Sequence, residues 1–328
     1  MKEVLITKEN SNQRVDKFIR KYLNDAPLSF IYKTFRKKDV KINGKWVKEN
    51  YILKENDLLR IYISDEQLNE FNKPIDISKI NYQNEIDIVY EDNNILIVNK
   101  PKGILIHGDK GEKRKTLANS VLSYLYKKGE FKNDGTSFIP SPTHRLDRNT
   151  SGLVVFAKNV LASQEMMNLF KTHEVIKKTY LLLAFNSTKN KEGEISFPLI
   201  KDSKNGFVRV GKLEEGAKEA KTLYKVIDEN NNYSLIEATL ITGRTHQLRV
   251  HFSAINLPIV GDEKYGDFAK NKIFEDKYQY RTQFLIAYKL SFGEVNGVLS
   301  YLSHRSFKAA LSQKEEKILK ELGLNVKK

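Results

Sequence analysis

Cysteine is absent from the 328 residues. This excludes disulfides, iron–sulfur clusters, thiolate zinc sites and cysteine nucleophiles together. No uninterrupted apolar run approaches the roughly 18 residues of a spanning helix, and the opening MKEVLITKENSNQR has no signal-peptide core. No membrane association is expected, and a cytoplasmic location is. Nucleotide-binding signatures are missing as well. Gly108-Asp109-Lys110-Gly111-Glu112-Lys113 is too short for a phosphate-binding loop and no G-x-G-x-x-G opens a helix, so no nucleotide cofactor is expected. The histidines, at 107, 144, 173, 246, 251 and 304, show no H-E-x-x-H spacing. His246 and His251, five apart, do not share a helical face, and the expectation is no metal.

What the chain has in excess is positive charge: 56 Lys plus Arg against 41 Asp plus Glu, a formal +15, with 40% hydrophobic residues. It therefore folds, and its natural partner is a polyanion. From Arg14 to Leu23, the residues Val15, Phe18, Ile19, Tyr22 and Leu23 recur at helical spacing with Arg14, Lys17, Arg20 and Lys21 opposite, and Pro27 ends the run. A second short helix is expected to open on a Ser29 cap and to run into Arg36-Lys37-Lys38, cations that suit a helix C-terminus. Val40-Lys41-Ile42 and Lys45-Trp46-Val47 flank Asn43-Gly44, the signature of a two-residue hairpin, and Asp57 to Ile63 reads as a further strand. Between Arg14 and Ile63 stand 13 Lys or Arg and 6 Asp or Glu, +7 of the total. The polar stretch from Ser64 to Pro74 loses both periodicities and reads as a linker. The expected organisation is a domain over 1–66, a linker over 67–82 and a larger domain over 83–328.

In the larger domain, Ile86, Ile88 and Tyr90 alternate, Glu91-Asp92-Asn93-Asn94 turns, and Ile95 to Val98 follows as a buried strand. Strand-like runs recur at Gly152–Ala157, Thr179–Ala184, Phe207–Val210, Thr222–Val226, Ser234–Leu240 and Leu299–Leu302. Helices are expected over Leu117–Tyr126, Val160–Phe170, about Thr245–Ile255 and Gln313–Leu322. Strands outnumber helices and do not alternate with them, which favours an α+β fold with a mostly antiparallel sheet.

The segment with most chemistry is His144-Arg145-Leu146-Asp147-Arg148-Asn149-Thr150-Ser151-Gly152, leading into Leu153-Val154-Val155. It sets an acid between two arginines at a strand entrance, where flanking guanidinium charge favours the ionised carboxylate. On residues alone, Asp147 is either a structural ion-pair partner or a reactive carboxylate. The segment resembles the H-R-L-D-R-x-T-S-G signature of the RluA family of pseudouridine synthases. Further family landmarks stand in order: Asn99-Lys100-Pro101-Lys102-Gly103 leading to His107, Lys177-Lys178-Thr179-Tyr180, Gly243-Arg244-Thr245-His246-Gln247-Leu248-Arg249-Val250-His251, Gly261-Asp262 and Tyr265-Gly266. The first sixty residues resemble the S4 RNA-binding module, and the whole is most similar to the ribosomal large-subunit synthase C group.

The resemblance implies a pseudouridine synthase catalytic domain with a mostly antiparallel mixed sheet, plus a small S4-like domain. It implies isomerisation of uridine to pseudouridine in 23S rRNA, at single-stranded or loop regions, by a monomer that needs no cofactor. By residue match, Asp147 is catalytic, either as nucleophile at the sugar or as base at C2′. Arg244 matches the arginine that pairs with it, and Tyr180 the tyrosine that stacks on the uracil and helps remove the C5 proton. Arg145 matches a residue that fills the space of the departed base. His144, Leu146, Thr150, His107 and Arg249 are expected at the substrate, with Arg249 and His251 supporting the motif helix rather than touching reacting atoms. Lys17, Lys21, Arg36, Lys37, Lys38 and Arg148 are expected on RNA phosphates, which position without reading sequence. A transfer RNA substrate is the alternative. An inactive rRNA-binding protein is a third reading, which the intact Asp147, Tyr180 and Arg244 argue against.

Overall fold

Helical spacing at the N-terminus yields two helices packed on a small sheet. The computed structural model describes residues 1–328 except 74–84, 110, 113, 133–137, 173–174, 203–205 and 327–328. Strands β1 (Lys2–Leu5), β2 (Val40–Ile42), β3 (Lys45–Trp46) and β4 (Leu58–Ile61) form an antiparallel sheet in the order β1-β4-β2-β3. Helices α1 (Val15–Tyr22) and α2 (Leu28–Arg36) close a separate core around Phe18, Ile19, Tyr22, Ile31, Phe35, Leu59 and Ile61. Asn43 and Gly44 take φ of 51° and 80°, the positive values the two-residue hairpin requires. Ser29 does not cap α2. Pro27 is its N-cap, at φ −59°, and makes no side-chain cap bond.

The expected linker is corrected over its first part. Residues Asp65–Phe71 form a helix, α3, because Ser64 and Gln67 make a reciprocal capping box, which satisfies two otherwise unpaired amides. The helix folds back on the N-terminal unit: Phe71 packs on Phe30 with ring centroids 4.7 Å apart, and its carbonyl accepts the Asp25 amide. The stretch 74–82 lies outside the described residues.

Among the described residues, the larger sheet has ten strands. Its main path runs β10 (Glu192–Ile195), β13 (Thr222–Glu229), β14 (Tyr233–Leu240), β9 (Ile176–Phe185), β15 (Leu285–Phe292), β8 (Ser151–Ala157), β6 (Ile95–Lys100), β5 (Asp87–Glu91), with β7 (Ser141–Pro142) on β8 and β16 (Ser306–Lys308) on β15. Every pairing is antiparallel except β8 with β15. A two-stranded hairpin of β11 (Leu199–Lys201) and β12 (Val208–Val210) stands apart. Successive strand residues point to opposite faces. Leu181 and Leu183 of β9 therefore enter one core with α5 (Val160–Thr172) and α8 (Gln313–Glu321), while Tyr180 and Leu182 enter another with α4 (Leu117–Lys127) and α6 (Gln247–Ala254). Burial on both faces is why these strands read as continuous apolar runs rather than alternating ones.

Leu299–Leu302 is not a strand. It lies in a 3₁₀ helix, Gly297–Leu302, whose three-residue repeat buries Leu299 and Leu302 on one side. Helix α7 (Phe268–Tyr278) and the central strand β15 were not anticipated from pattern. Gly152 joins β8 to β15: at φ +111°, a Cβ there would stand 2.3 Å from the Ala287 carbonyl oxygen.

Candidate active site

Asp147 lies in the loop between β7 and β8, where Thr150 donates its amide to the Asp147 carbonyl at 3.1 Å and makes a tight turn before the strand begins. The Thr150 hydroxyl is tied from the other side by the Gln283 amide at 3.3 Å. Beneath the loop, the side chain of Lys100 is wholly buried, and Nζ donates to the carbonyls of Pro101, Ile104 and Arg148 at 2.8–2.9 Å. One lysine thus pins the end of β6 to the residue next to Asp147. Burial pulls its pKa from 10.5 down to about 7, against the pull of the Asp147 charge.

A cavity of about 460 Å³ opens over this loop, large enough for a nucleoside. Asp147, Arg145, His144, Leu146 and Thr150 line it from the β7–β8 loop, Tyr180 and Lys178 from β9, and Arg244, His246 and Arg249 from the start of α6. Gln247 organises that last wall. Its side chain accepts from the Arg244 amide and the Thr242 hydroxyl and donates to the Lys221 carbonyl and the Thr222 hydroxyl, stitching the turn to β13.

The arginine that meets Asp147 is Arg249, with Nη1 3.4 Å from Oδ2. Arg244, expected in that place, instead donates Nε to the Glu219 carbonyl at 2.9 Å and stays exposed at the rim. The reason is helical geometry: Arg249 sits two residues into α6 on its buried side, while Arg244 precedes the helix. Arg249 is in turn held by Asp262, Nε to Oδ2 at 2.6 Å and Nη2 to Oδ1 at 2.8 Å, a fork that leaves one remaining N–H edge for Asp147. Asp262 is buried and also accepts the amides of Lys264 and Tyr265. Its part was missed in the sequence, although an acid after glycine in an apolar run was there to be weighed. His251 ties α6 to the Thr222 hydroxyl and the Phe197 carbonyl, whereas Arg249, expected to support the helix alone, also contacts Asp147.

Tyr180 is buried, and its pKa is pushed up by that burial and then by the Asp147 charge, so it is a neutral phenol. His144 keeps part of its surface in solvent, yet its Nε2 points inward to accept the Val155 amide at 3.2 Å and its ring packs on Phe170. Burial lowers its pKa to about 3. It holds β8 as well as lining the cavity. His107 is exposed and not among the lining residues. Arg148 turns outward to Asp109, 3.6 Å away.

On the N-terminal unit, Lys17, Arg36, Lys37 and Lys38 are exposed. Lys38 lies over the Trp46 ring, and Lys21 sets its ammonium 5.1 Å from the Phe138 ring centroid, towards the larger unit. No helix among the described residues is long and apolar enough to cross a membrane, and no three of their His, Asp or Glu side chains converge as metal ligands.

A single carboxylate, clamped by an arginine and faced by a buried tyrosine in a nucleoside-sized cavity, is equipped for carboxylate chemistry on a sugar or base. Residues 94–254 match the model of the RNA pseudouridylate synthase family. An uncharacterised RNA pseudouridine synthase of Mycoplasma capricolum is 37% identical over 314 residues, covering 93% of this chain and 96% of its own. A ribosomal large subunit pseudouridine synthase C of Vibrio parahaemolyticus is 35% identical over 265 residues, 80% of this chain and 79% of its own. In fold, the chain is similar to human RNA pseudouridylate synthase domain containing 4, with a TM-score of 0.59 at 24% identity over 73% of this chain and 94% of that one. The chain belongs to the RNA pseudouridine synthase family, and is an isomerase.

Proposed function

We propose that this enzyme converts uridines of 23S ribosomal RNA to pseudouridine, with Asp147 as the essential catalytic residue. The reaction breaks N1–C1′, turns the uracil, and joins C5 to C1′; the C5 proton leaves and N1 gains one. The observation that carries this reading is the placement of Asp147 in the cavity opposite Tyr180, with Arg249 fixing its carboxylate. Both roles open to Asp147, nucleophile at the sugar or base at C2′, need an anion held rigidly beside the ribose. Tyr180 enters as a neutral ring against the uracil. Because the Asp147 charge is part of what keeps it protonated, consuming that charge in the first step makes the phenol easier to ionise, and only the ionised oxygen can take up the C5 proton.

Ribosomal RNA is favoured by the relatives named for the large subunit and by the separate basic N-terminal unit. We read that unit as S4-like, spanning residues 1–66, with Lys17, Arg36, Lys37 and Lys38 on phosphates, and the enzyme as a cytoplasmic monomer. Looped or single-stranded target sites follow from the rotation, since the base must leave its stack at a cost of a few kcal/mol. The test is tritium release from C5-labelled uridine in a protein-free 23S transcript. Release by wild type and none by Asp147→Ala, with RNA affinity retained, is expected. Release by the variant, or from a labelled tRNA pool in place of the 23S transcript, refutes the assignment.

A further inference from the structure

Asp147 has a second neighbour that the proposed chemistry leaves without a role. His246 immediately precedes α6 with φ 53° and ψ 20°, in the left-handed region that non-glycine residues rarely occupy, and its side chain does not cap the helix. The ring instead reaches Tyr265, with Nδ1 2.8 Å from the phenolic oxygen. That same oxygen accepts the backbone N–H of Val208, from β12, at 3.0 Å. A tyrosine hydroxyl has one proton to donate. Among the described residues, the acceptor within reach of that proton is His246 Nδ1. A neutral imidazole whose Nδ1 accepts carries its own proton on Nε2, and Nε2 stands 3.8 Å from Asp147 Oδ2. This is longer than a hydrogen bond and within the range of a charge–dipole contact.

The groups facing the ring are Asp147, Asp262, Arg249, Lys264 and Tyr265. Burial holds the imidazole below its ordinary pKa; Arg249 and Lys264 act in the same direction, while Asp147 and Asp262 oppose them. His246 therefore meets the carboxylate as a dipole rather than as a second cation. Arg249 remains the full positive charge on Asp147, and the anion is oriented without being neutralised twice.

We propose that His246 is a positioning residue for Asp147, its Nε2–H tautomer fixed by Tyr265, which is itself aimed by the Val208 amide. The inference rests on Asp147 being the reacting carboxylate. It also links the β11–β12 hairpin, whose Lys201 lines the cavity, to the reacting group through three hydrogen-bonded residues.

The test uses the full chain labelled with ¹⁵N-histidine, in which two-bond proton–nitrogen spectra distinguish the tautomers and His246→Gln identifies the His246 signals. Wild type is expected to show the Nε2–H form at neutral pH. In Tyr265→Phe, loss of the donor to Nδ1 makes that nitrogen easier to protonate. The acid limb of the single-turnover rate should move to higher pH, and the rate should fall roughly 10–100-fold with RNA affinity unchanged. A merely structural loss would scale the rate without moving the limb. An Nδ1–H ring in the wild type, or a Tyr265→Phe variant with wild-type rate and pH profile, overturns the proposal. Failure of the wild type to release tritium would strike the functional reading instead, and the tautomer spectra would still decide the hydrogen-bonded chain.

Discussion

Asp262→Asn tests how the site is held. Asp262 has no exposed surface, and its two oxygens take four hydrogen bonds: two from Arg249, at 2.6 and 2.8 Å, and the amides of Lys264 and Tyr265, at 2.8 and 3.0 Å. Asparagine keeps one oxygen but turns an NH₂ towards a guanidinium that has only donors. Removing one partner of a buried ion pair costs about 3–5 kcal/mol. Arg249 retains Asp147 at 3.4 Å as a second anion, so the lower end applies, about 3 kcal/mol. This corresponds to roughly two powers of ten in the folded-to-unfolded ratio, and to a midpoint lower by roughly 6–12 °C for the unfolding of a domain the size of residues 83–328. Unfolding should be followed by far-ultraviolet circular dichroism, because the single tryptophan, Trp46, sits in the N-terminal sheet and does not report on this region. The double variant with Arg249→Met should recover part of the loss, since it removes the stranded charge. An Asp262→Asn protein within about 0.5 kcal/mol of wild type, a change typical of an ordinary surface substitution, would refute the reasoning.

Two further consequences concern the strand ends beneath the site. Lys100 has a folded pKa of about 7 against 10.5 when free. Between those values the unfolded chain binds more protons than the folded one, so stability at this site rises with pH across that window and is flat below it. The urea midpoint of wild type relative to Lys100→Met should therefore grow from pH 7 to 9; a difference that shrinks contradicts the burial of this ammonium. Gly152→Ala places a Cβ 2.3 Å from the Ala287 carbonyl at a φ of +111°. The same unfolding assay should show a loss above about 1 kcal/mol, and a neutral result would mean that β8 and β15 do not approach so closely.

Local chemistry was readable wherever neighbouring residues decide the outcome. The 3.6-residue spacing of Val15, Phe18, Ile19 and Tyr22 determined α1, and Asn43-Gly44 determined a hairpin, because only residues that accept positive φ close that turn. The segment around Asp147 was legible for a similar reason: acid, arginines and turn residues lie within nine positions. Its tertiary partner was not. Arg249 is 102 residues away from Asp147, and its selection over Arg244 depends on where α6 begins and on Asp262 waiting across the helix. Likewise α3 was taken for linker because its few apolar residues are anchored by contacts with Phe30 and Asp25 that pattern does not encode. Spacing along a chain determines which faces are apolar and which turns close. Only packing determines which of several chemically equivalent arginines, histidines or lysines comes within hydrogen-bond reach of one carboxylate, because that choice is made by distance in space between residues far apart in sequence.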